Sequence, residues 1–284
     1  MTENEKSFYY KMFAGKVFVL KIGGEVVKSK KILQSILSDV KGLMEHDVRV
    51  VLVHGGGSQA DFLSEQLGHI PVKKEGRRVT SKEDLQVVKM LYGGSLNLEI
   101  LSIMKKLGMK GMRVSGLDGN LLDVKMRSKK EFDYGFVGDI ERVNPQVLSD
   151  LMSKSYLPVV SPLGVTNKGT ILNINADTIA TELAISLKAA KLIFFTNTDG
   201  VMDGDDLLRT LTCIEAEDLI ETQVAIGGMK VKLDNCIHAV RSGVKRVHIL
   251  NGLSPHSLLG EIYTKQGVGT MITLAKERDK YLNE

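Results

Sequence analysis

The sequence predicts an α/β fold, a doubly wound and largely parallel sheet with helices on its faces. Short β-rich apolar runs alternate with amphipathic helical patterns along the chain. The runs are apolar throughout rather than at every second residue, as in strands covered on both faces. The chain has 284 residues, 43% of them hydrophobic, enough for one large core or two lobes.

The elements follow in order. "VFVLKI" (17–22) reads as a buried strand. "KKILQSILSDVKGLMEHD" (30–47) puts Ile32, Leu33, Ile36, Leu37, Val40, Leu43 and Met44 on one helical face. "VRVVLVH" (48–54) is a second strand, running into glycines. "SKEDLQVVKMLYGGSLNLEILSIMKKLG" (81–108) is one long helix or two, broken near Gly93 and Gly94, with Ser81 and Asp84 spaced as a capping box. "DYGFVGDIERVN" (133–144) looks like hairpin material. "YLPVVSP" (156–162), "KLIFFTNT" (191–198) and "KRVHILNG" (245–252) are further strands, each preceded by a helical pattern. A seam between two lobes is expected near residues 164–171.

The net charge is +4, with no run of five or more basic residues, so nucleic acid is not the expected partner. The apolar stretches are read as too short to span a membrane, and the acidic, polar N-terminus lacks the apolar core of a secretion signal. Cys213 and Cys236 read as free thiols in a reducing compartment, which points to the cytoplasm. The six histidines show no ligand spacing, so no metal site is expected.

In sheets of this kind ligands gather beyond the carboxyl ends of strands. Three polar glycine clusters fall there: "KIGGE" (21–25), "HGGGSQAD" (54–61) and "TNTDG" (196–200). A fourth, "GGMK" (227–230), opens a helix. Glycine lets backbone approach a ligand, and helix N-termini attract anions, so the set suits phosphate. Lys21 poses the sharpest question, because a lysine leaving a buried strand is costly unless an anion meets it. Taken singly, each cluster also reads as a tight turn, Lys21 as a lysine reaching solvent, Asp177 as a first-turn helix acid and His54 as a satisfied turn histidine. The set in order, with two lysines and an aspartate, favours the ligand reading. A Walker A loop is absent. Residues 55–60 satisfy GxGxxA, and Glu75 falls where a ribose-binding acid would, but a dinucleotide leaves Lys21 and "GGMKVK" unexplained.

"KIGGE", "VVLVHGGGSQ", "RRVTSKEDL", "GFVGDIERVNPQVL", "YLPVVSPLG", "LNINADTIAT", "GGMKVKL" and "GEIYTKQGVGTMI" resemble, in this order, the amino acid kinase superfamily, and within it the N-acetylglutamate kinases of arginine biosynthesis. The resemblance covers about residues 16 to 273. It implies a three-layer αβα sandwich with a mainly parallel central sheet. It implies an N-terminal extension (1–15) able to form an oligomerisation helix, an amino-acid-binding and dimerising lobe (16–170) and a nucleotide-binding lobe (171–284). By matching motifs, Lys21 and Lys232 are the catalytic lysines and Asp177 organises them. Gly55, Gly56, Gly57, Arg78 and Asn173 bind the amino acid, with Arg78 on its α-carboxylate and Asn173 at the acylamino end. Gly23, Gly24, Thr196, Asn197, Gly200, Gly228 and Met229 bind nucleotide. ATP with nucleotide-bound Mg²⁺ is expected, and a homodimer or a hexamer of dimers.

The chemistry agrees with the resemblance. A carboxylate nucleophile, pKa about 4.3, is ionised at neutral pH and needs no general base. The difficulty is bringing one anion to another, so positioning and positive charge do the work.

Some positions depart from the family pattern. Asn197 and Thr198 stand where Asp-Val is common, Leu98 where lysine is common, and Lys230 where an apolar residue is usual. The asparagine and the lysine are similar to kinases acting on carrier-protein-bound aminoadipate or glutamate. The third glycine of "HGGG" favours a small N-acylglutamate, with the acyl group left open. A non-catalytic arginine-sensing kinase-like module is a third reading. Phe8, Tyr9, Met12 and Phe13 share one helical face, as in arginine-inhibited members of the family. That resemblance makes Tyr9, His256, Glu261 and Gly267 expected arginine contacts.

Overall fold

The computed structural model describes residues 9–74, 76–264 and 267–282. Phe8 and Glu75 of the sequence reading lie outside the described residues. A helical turn at 9–13 leads into β1 (Val17–Ile22), α1 (Gly24–Lys28), α2 (Lys30–Met44), β2 (Arg49–His54) and α3 (Gly57–Gln66). β3 (Val72–Lys74) and β4 (Arg77–Val79) form an antiparallel hairpin. α4 (Lys82–Met90) then passes through a π turn (Leu91–Ser95) into α5 (Leu96–Lys106). Next come β5 (Gly111–Ser115), β6 (Leu122–Met126), β7 (Gly138–Val143), α6 (Gln146–Ser153), β8 (Leu157–Ser161), β9 (Leu163–Val165) and β10 (Ile171–Asn173). α7 (Ala176–Ser186) crosses to β11 (Lys191–Thr196), followed by the short β12 (Met202–Asp203), β13 (Asp206–Leu207) and β14 (Thr210–Thr212). The chain closes with α8 (Cys213–Glu221), α9 (Gly227–Arg241), β15 (Arg246–Asn251), α10 (Ser257–Tyr263), β16 (Thr270–Thr273) and α11 (Ala275–Leu282).

Eight strands form one sheet, in the order β14-β16-β15-β11-β1-β2-β8-β5. Every neighbouring pair is parallel except β15 with β16. The expected fold class is therefore the observed one. β1 lies between β2 and β11, at the point where the chain winds outward in both directions, and such points open a crevice at strand carboxyl ends. A smaller sheet, β10-β9-β6-β7, stands beside the large one, and the residues read as hairpin material contribute β7 to it.

Two apolar clusters cover the two faces. Phe18, Leu20 and Ile22 face the cluster built with α2, α4, α5 and α10, whereas Val19 faces the one built with α6, α7, α8 and α9. Strand alternation sends Lys21 to the face of Val19, toward α7 and α9. The fold thus positions the lysine before any ligand is considered.

The helix at 82–106 is continuous, and the break expected at Gly93 and Gly94 is the π turn, which keeps the chain helical. Because the turn joins two shorter helices, Lys82–Lys106 is long and apolar enough, by length and composition, to cross a membrane. This corrects the expectation that no stretch reaches that length. Leu85, Val88, Leu91, Tyr92, Leu96, Ile100 and Met104 bury one side of it in the core. The expected capping box is present, with Ser81 and Asp84 each bonding the other's backbone N–H.

Candidate active site

Lys21 leaves the carboxyl end of β1 and meets Asp177 Oδ1 at 2.8 Å. Lys232, on the second turn of α9, donates to Asp177 Oδ2 at 2.9 Å. The two ammonium groups thus sit on separate oxygens of one carboxylate. Asp177 sits in the first turn of α7, whose N-cap Asn175 accepts from Thr178 N at 3.0 Å. The three side chains are only 9–12% exposed. Burial alone would raise the Asp177 carboxyl, but the two ammonium groups outweigh it and hold it far below the carboxylate range. Burial pushes Lys21 down, against the pull of Asp177. Two cations on one anion leave about one net positive charge at the cleft floor.

The glycine loops wrap this point. Gly23 caps α1, Gly56 caps α3, and Gly57 opens α3. Gln59 donates to the Gly24 carbonyl at 2.7 Å, locking the two loops together. A Cβ on Gly24 would lie 2.6 Å from Gln59 Oε1, and one on Gly56 would lie 2.4 Å from Leu96 Cδ1. Only glycine fits these two positions without displacing side chains.

A cleft of about 250 Å³ opens over Lys21 and Asp177. Its lining includes Lys21, Gly24, Gly55, Gly56, Gly57, Arg78, Asn173 and Asp177. Arg78 donates to the Gly57 carbonyl at 2.9 Å and pairs with Asp61. Its Nη1 is buried without a partner among the described residues, a donor that suits a ligand oxygen. Asn173 donates to Thr80 Oγ1 at 3.0 Å.

Of the residues expected on the nucleotide side, Gly24 lines this cleft, whereas Gly23, Thr196, Asn197, Gly200, Gly228 and Met229 are not part of its lining. Thr196 ends β11 and accepts the Gly252 N–H at 2.7 Å, and Asn197 is exposed beside it. Gly200 is buried under Thr270, where a Cβ would come within 2.4 Å of Oγ1. Gly228 and Met229 lie in the first turn of α9, with Met229 leaning on the core. The β3–β4 tip at Gly76 abuts Gly227 and Gly228.

The residues expected to meet arginine lie around α10, each with its own partners. Tyr9 packs on Tyr263 at 5.7 Å. His256 bonds Asp39 at 2.7 Å. Glu261 is buried, accepting from His248 Nδ1 at 2.7 Å and from the N–H groups of Val268 and Gly269. Gly267 has φ +63° and leaves no room for a Cβ beside that carboxylate. Lys191, which sequence reasoning did not single out, bonds His248 Nε2 at 3.0 Å and lies over the Phe13 ring. Burial lowers Lys191 to about 8 and His248 to about 4, while the His248 and backbone bonds overcome burial and hold Glu261 at about 2.

Sequence reasoning also missed Asp61, which pairs with both Lys73 and Arg78, and Arg127, a cleft residue bound to Asp139. Their partners are set by strand and helix neighbours, and no motif spacing marks them.

A model of the amino acid kinase family matches residues 16–251. The acetylglutamate kinase of Methanoculleus marisnigri is 41% identical over 277 residues, covering 94% of this chain and 96% of that protein. Among solved structures, the N-acetylglutamate synthase of Neisseria gonorrhoeae with coenzyme A and N-acetyl-glutamate superposes with a TM-score of 0.86 at 27% identity. This chain is covered to 95% there and spans 62% of the synthase chain. The same synthase with coenzyme A and L-arginine gives 0.85 at 26% identity, over 95% and 64% of the two chains.

Proposed function

The chain belongs to the amino acid kinase family, and from that membership we propose that it transfers the γ-phosphoryl group of ATP to the γ-carboxylate of N-acetyl-L-glutamate, a step of arginine biosynthesis. The observation that carries the reading is the pair of lysines held on one buried aspartate beneath the glycine loops.

The substrate carboxylate arrives ionised and attacks the terminal phosphorus directly. Lys21 draws the transferring phosphoryl group, and Lys232 draws the oxygen between the β and γ phosphates as it takes up charge. Asp177 keeps both ammonium groups aimed and prevents them from repelling each other apart. Gly55, Gly56 and Gly57 present backbone to the phosphoryl and carboxylate oxygens, with Gly23 and Gly24 on the phosphate side. Arg78, with its spare Nη1, holds the α-carboxylate, and Asn173 bounds the acylamino end. Thr196, Asn197, Gly200, Gly228 and Met229 are assigned to the nucleotide's body. Mg²⁺ would be held by phosphate oxygens and water, and would shield the charge of the triphosphate.

The lobe assignment is part of the proposal, with the amino acid held by residues 16–170 and ATP by 171–284. The cytoplasm is the proposed compartment. Exposed Phe62, Ile70, Val72, Met90 and Leu98 support association of copies through the N-terminal half. A response to arginine is proposed for Tyr9, His256, Glu261 and Gly267, because Glu261 is a buried, ionised carboxylate whose partner His248 is bonded by Lys191 beside the Phe13 ring. Arginine titration and mass in solution with residues 1–14 deleted test this, and an unchanged oligomer and response remove it.

ADP release with N-acetyl-L-glutamate, N-succinyl-L-glutamate and glutamate tests the main reading. Turnover is expected with the N-acetyl compound. A folded protein that releases ADP with none of the three overturns it.

A further inference from the structure

Resting on the phosphoryl-transfer reading, we propose that His54 is a positioning residue that turns the Gly56 N–H into the cleft. His54 ends β2 and is fully buried. Its Nδ1 lies 3.1 Å from the Gly55 carbonyl oxygen. A carbonyl only accepts, so that nitrogen carries the proton. Nε2 makes no hydrogen bond of full geometry among the described residues, with the Asn97 side chain as its polar neighbour, and burial keeps the ring neutral above about pH 4. The ring therefore offers its one proton to Gly55, and its lowered basicity makes the other nitrogen a poor base.

The consequence follows from peptide geometry. The Gly55 carbonyl and the Gly56 N–H belong to one planar trans peptide, so they point in opposite directions. With the carbonyl drawn to His54 in the interior, the N–H faces the cleft that Gly55, Gly56 and Gly57 line. That N–H has no partner among the described residues. The other side of Gly55 is also pinned, because its own N–H donates to the Ile22 carbonyl at 2.8 Å. Tyr92, from the π turn, packs edge-on to the His54 ring at 6.4 Å, and a Cβ on Gly56 would strike the same tyrosine at 2.9 Å. One aromatic side chain thus fixes both the imidazole and the loop it directs. A donor held in place before the charge develops stabilises the transition state without reorganising.

Three substitutions in the full chain test this. His54→Asn keeps a donor close to the place of Nδ1. His54→Gln carries its donor to the place of Nε2 and leaves the Gly55 carbonyl unpaired. His54→Phe keeps a ring without a donor. In ADP release with MgATP and N-acetyl-L-glutamate, His54→Gln and His54→Phe are expected to lower kcat about 10- to 100-fold, with KM for the amino acid changed less than about 3-fold. His54→Asn is expected to recover most of kcat. Equal kcat in the Asn and Gln variants, or a wild-type kcat in the Phe variant, overturns the proposal. The Gly56 amide NMR resonance gives a readout independent of turnover. It is expected to shift on adding the magnesium complex of AMP-PNP in the wild type and the Asn variant but not in the Gln variant, and a shift in all three contradicts the proposal. A wild type without turnover whose amide still responds would sink the functional reading alone.

Discussion

Lys232 donates a 2.9 Å hydrogen bond to Asp177 at the buried floor of the cleft, although one residue comes from α9 and the other from α7. Lys21 reaches the other oxygen of the same carboxylate. An ammonium desolvated in this way persists only while an anion stays beside it. Asp177→Asn keeps the shape and removes that anion. It is expected to cost about 3–5 kcal/mol of stability, measured by chemical denaturation. The variant should gain more melting temperature from added MgATP than the wild type, because the triphosphate then replaces the lost charge. An equal gain in both proteins would contradict the shared-anion role.

Lys21→Met should leave the fold in place and reduce kcat by at least about 100-fold, by analogy with the loss of one transition-state donor. Lys21→Arg should recover little, because a planar fork cannot take the place of a compact ammonium in so small a space. Steady-state ADP release with circular dichroism on the same samples separates lost chemistry from lost fold.

Arg78→Gln should raise KM for the amino acid about 10- to 100-fold while leaving KM for ATP nearly unchanged, as expected when one charged hydrogen-bond pair is lost. Asp61 is then left with Lys73 alone. A rise in the ATP constant instead would move Arg78 to the wrong half of the cleft.

Stability should fall as pH falls from about 6.5 toward 4. His54 and His248 are both held near 4 by burial in the folded chain, against about 6.5 unfolded. Between those values the unfolded chain binds protons that the folded chain refuses, so the native state loses up to about 1.4 kcal/mol per pH unit for each histidine. Glu261 adds to the loss below pH 4.5, because its stabilisation is complete above that value and vanishes toward about 2. His248→Gln should reduce the slope of denaturation free energy against pH between 6.5 and 4 by about half.

Much of this was legible in the sequence. The strands β1, β2, β8, β11 and β15 announce themselves as continuous apolar runs because they are buried on both faces. Edge and satellite strands gave no such signal. β5 carries exposed Met112 and Arg113, and β12 and β13 have two residues each. Lys21, Asp177 and Lys232 were readable from their motifs. The cluster of Lys191, His248 and Glu261 was not, because it depends on neighbouring β11 and β15 and on α10 folding back, which no local pattern encodes. The Arg78–Asp61 pair was hidden for the same reason, since a hairpin and a helix must first meet. A second helix capping box, Thr212 with Glu215, has the same spacing that marks a helix start at Ser81.

A crystal structure with the magnesium complex of AMP-PNP and N-acetyl-L-glutamate tests the central claim most directly. The account predicts the Nζ atoms of Lys21 and Lys232 within hydrogen-bond distance of the terminal phosphate and its bridging oxygen, with Asp177 between them. A triphosphate bound away from both ammonium groups would contradict it.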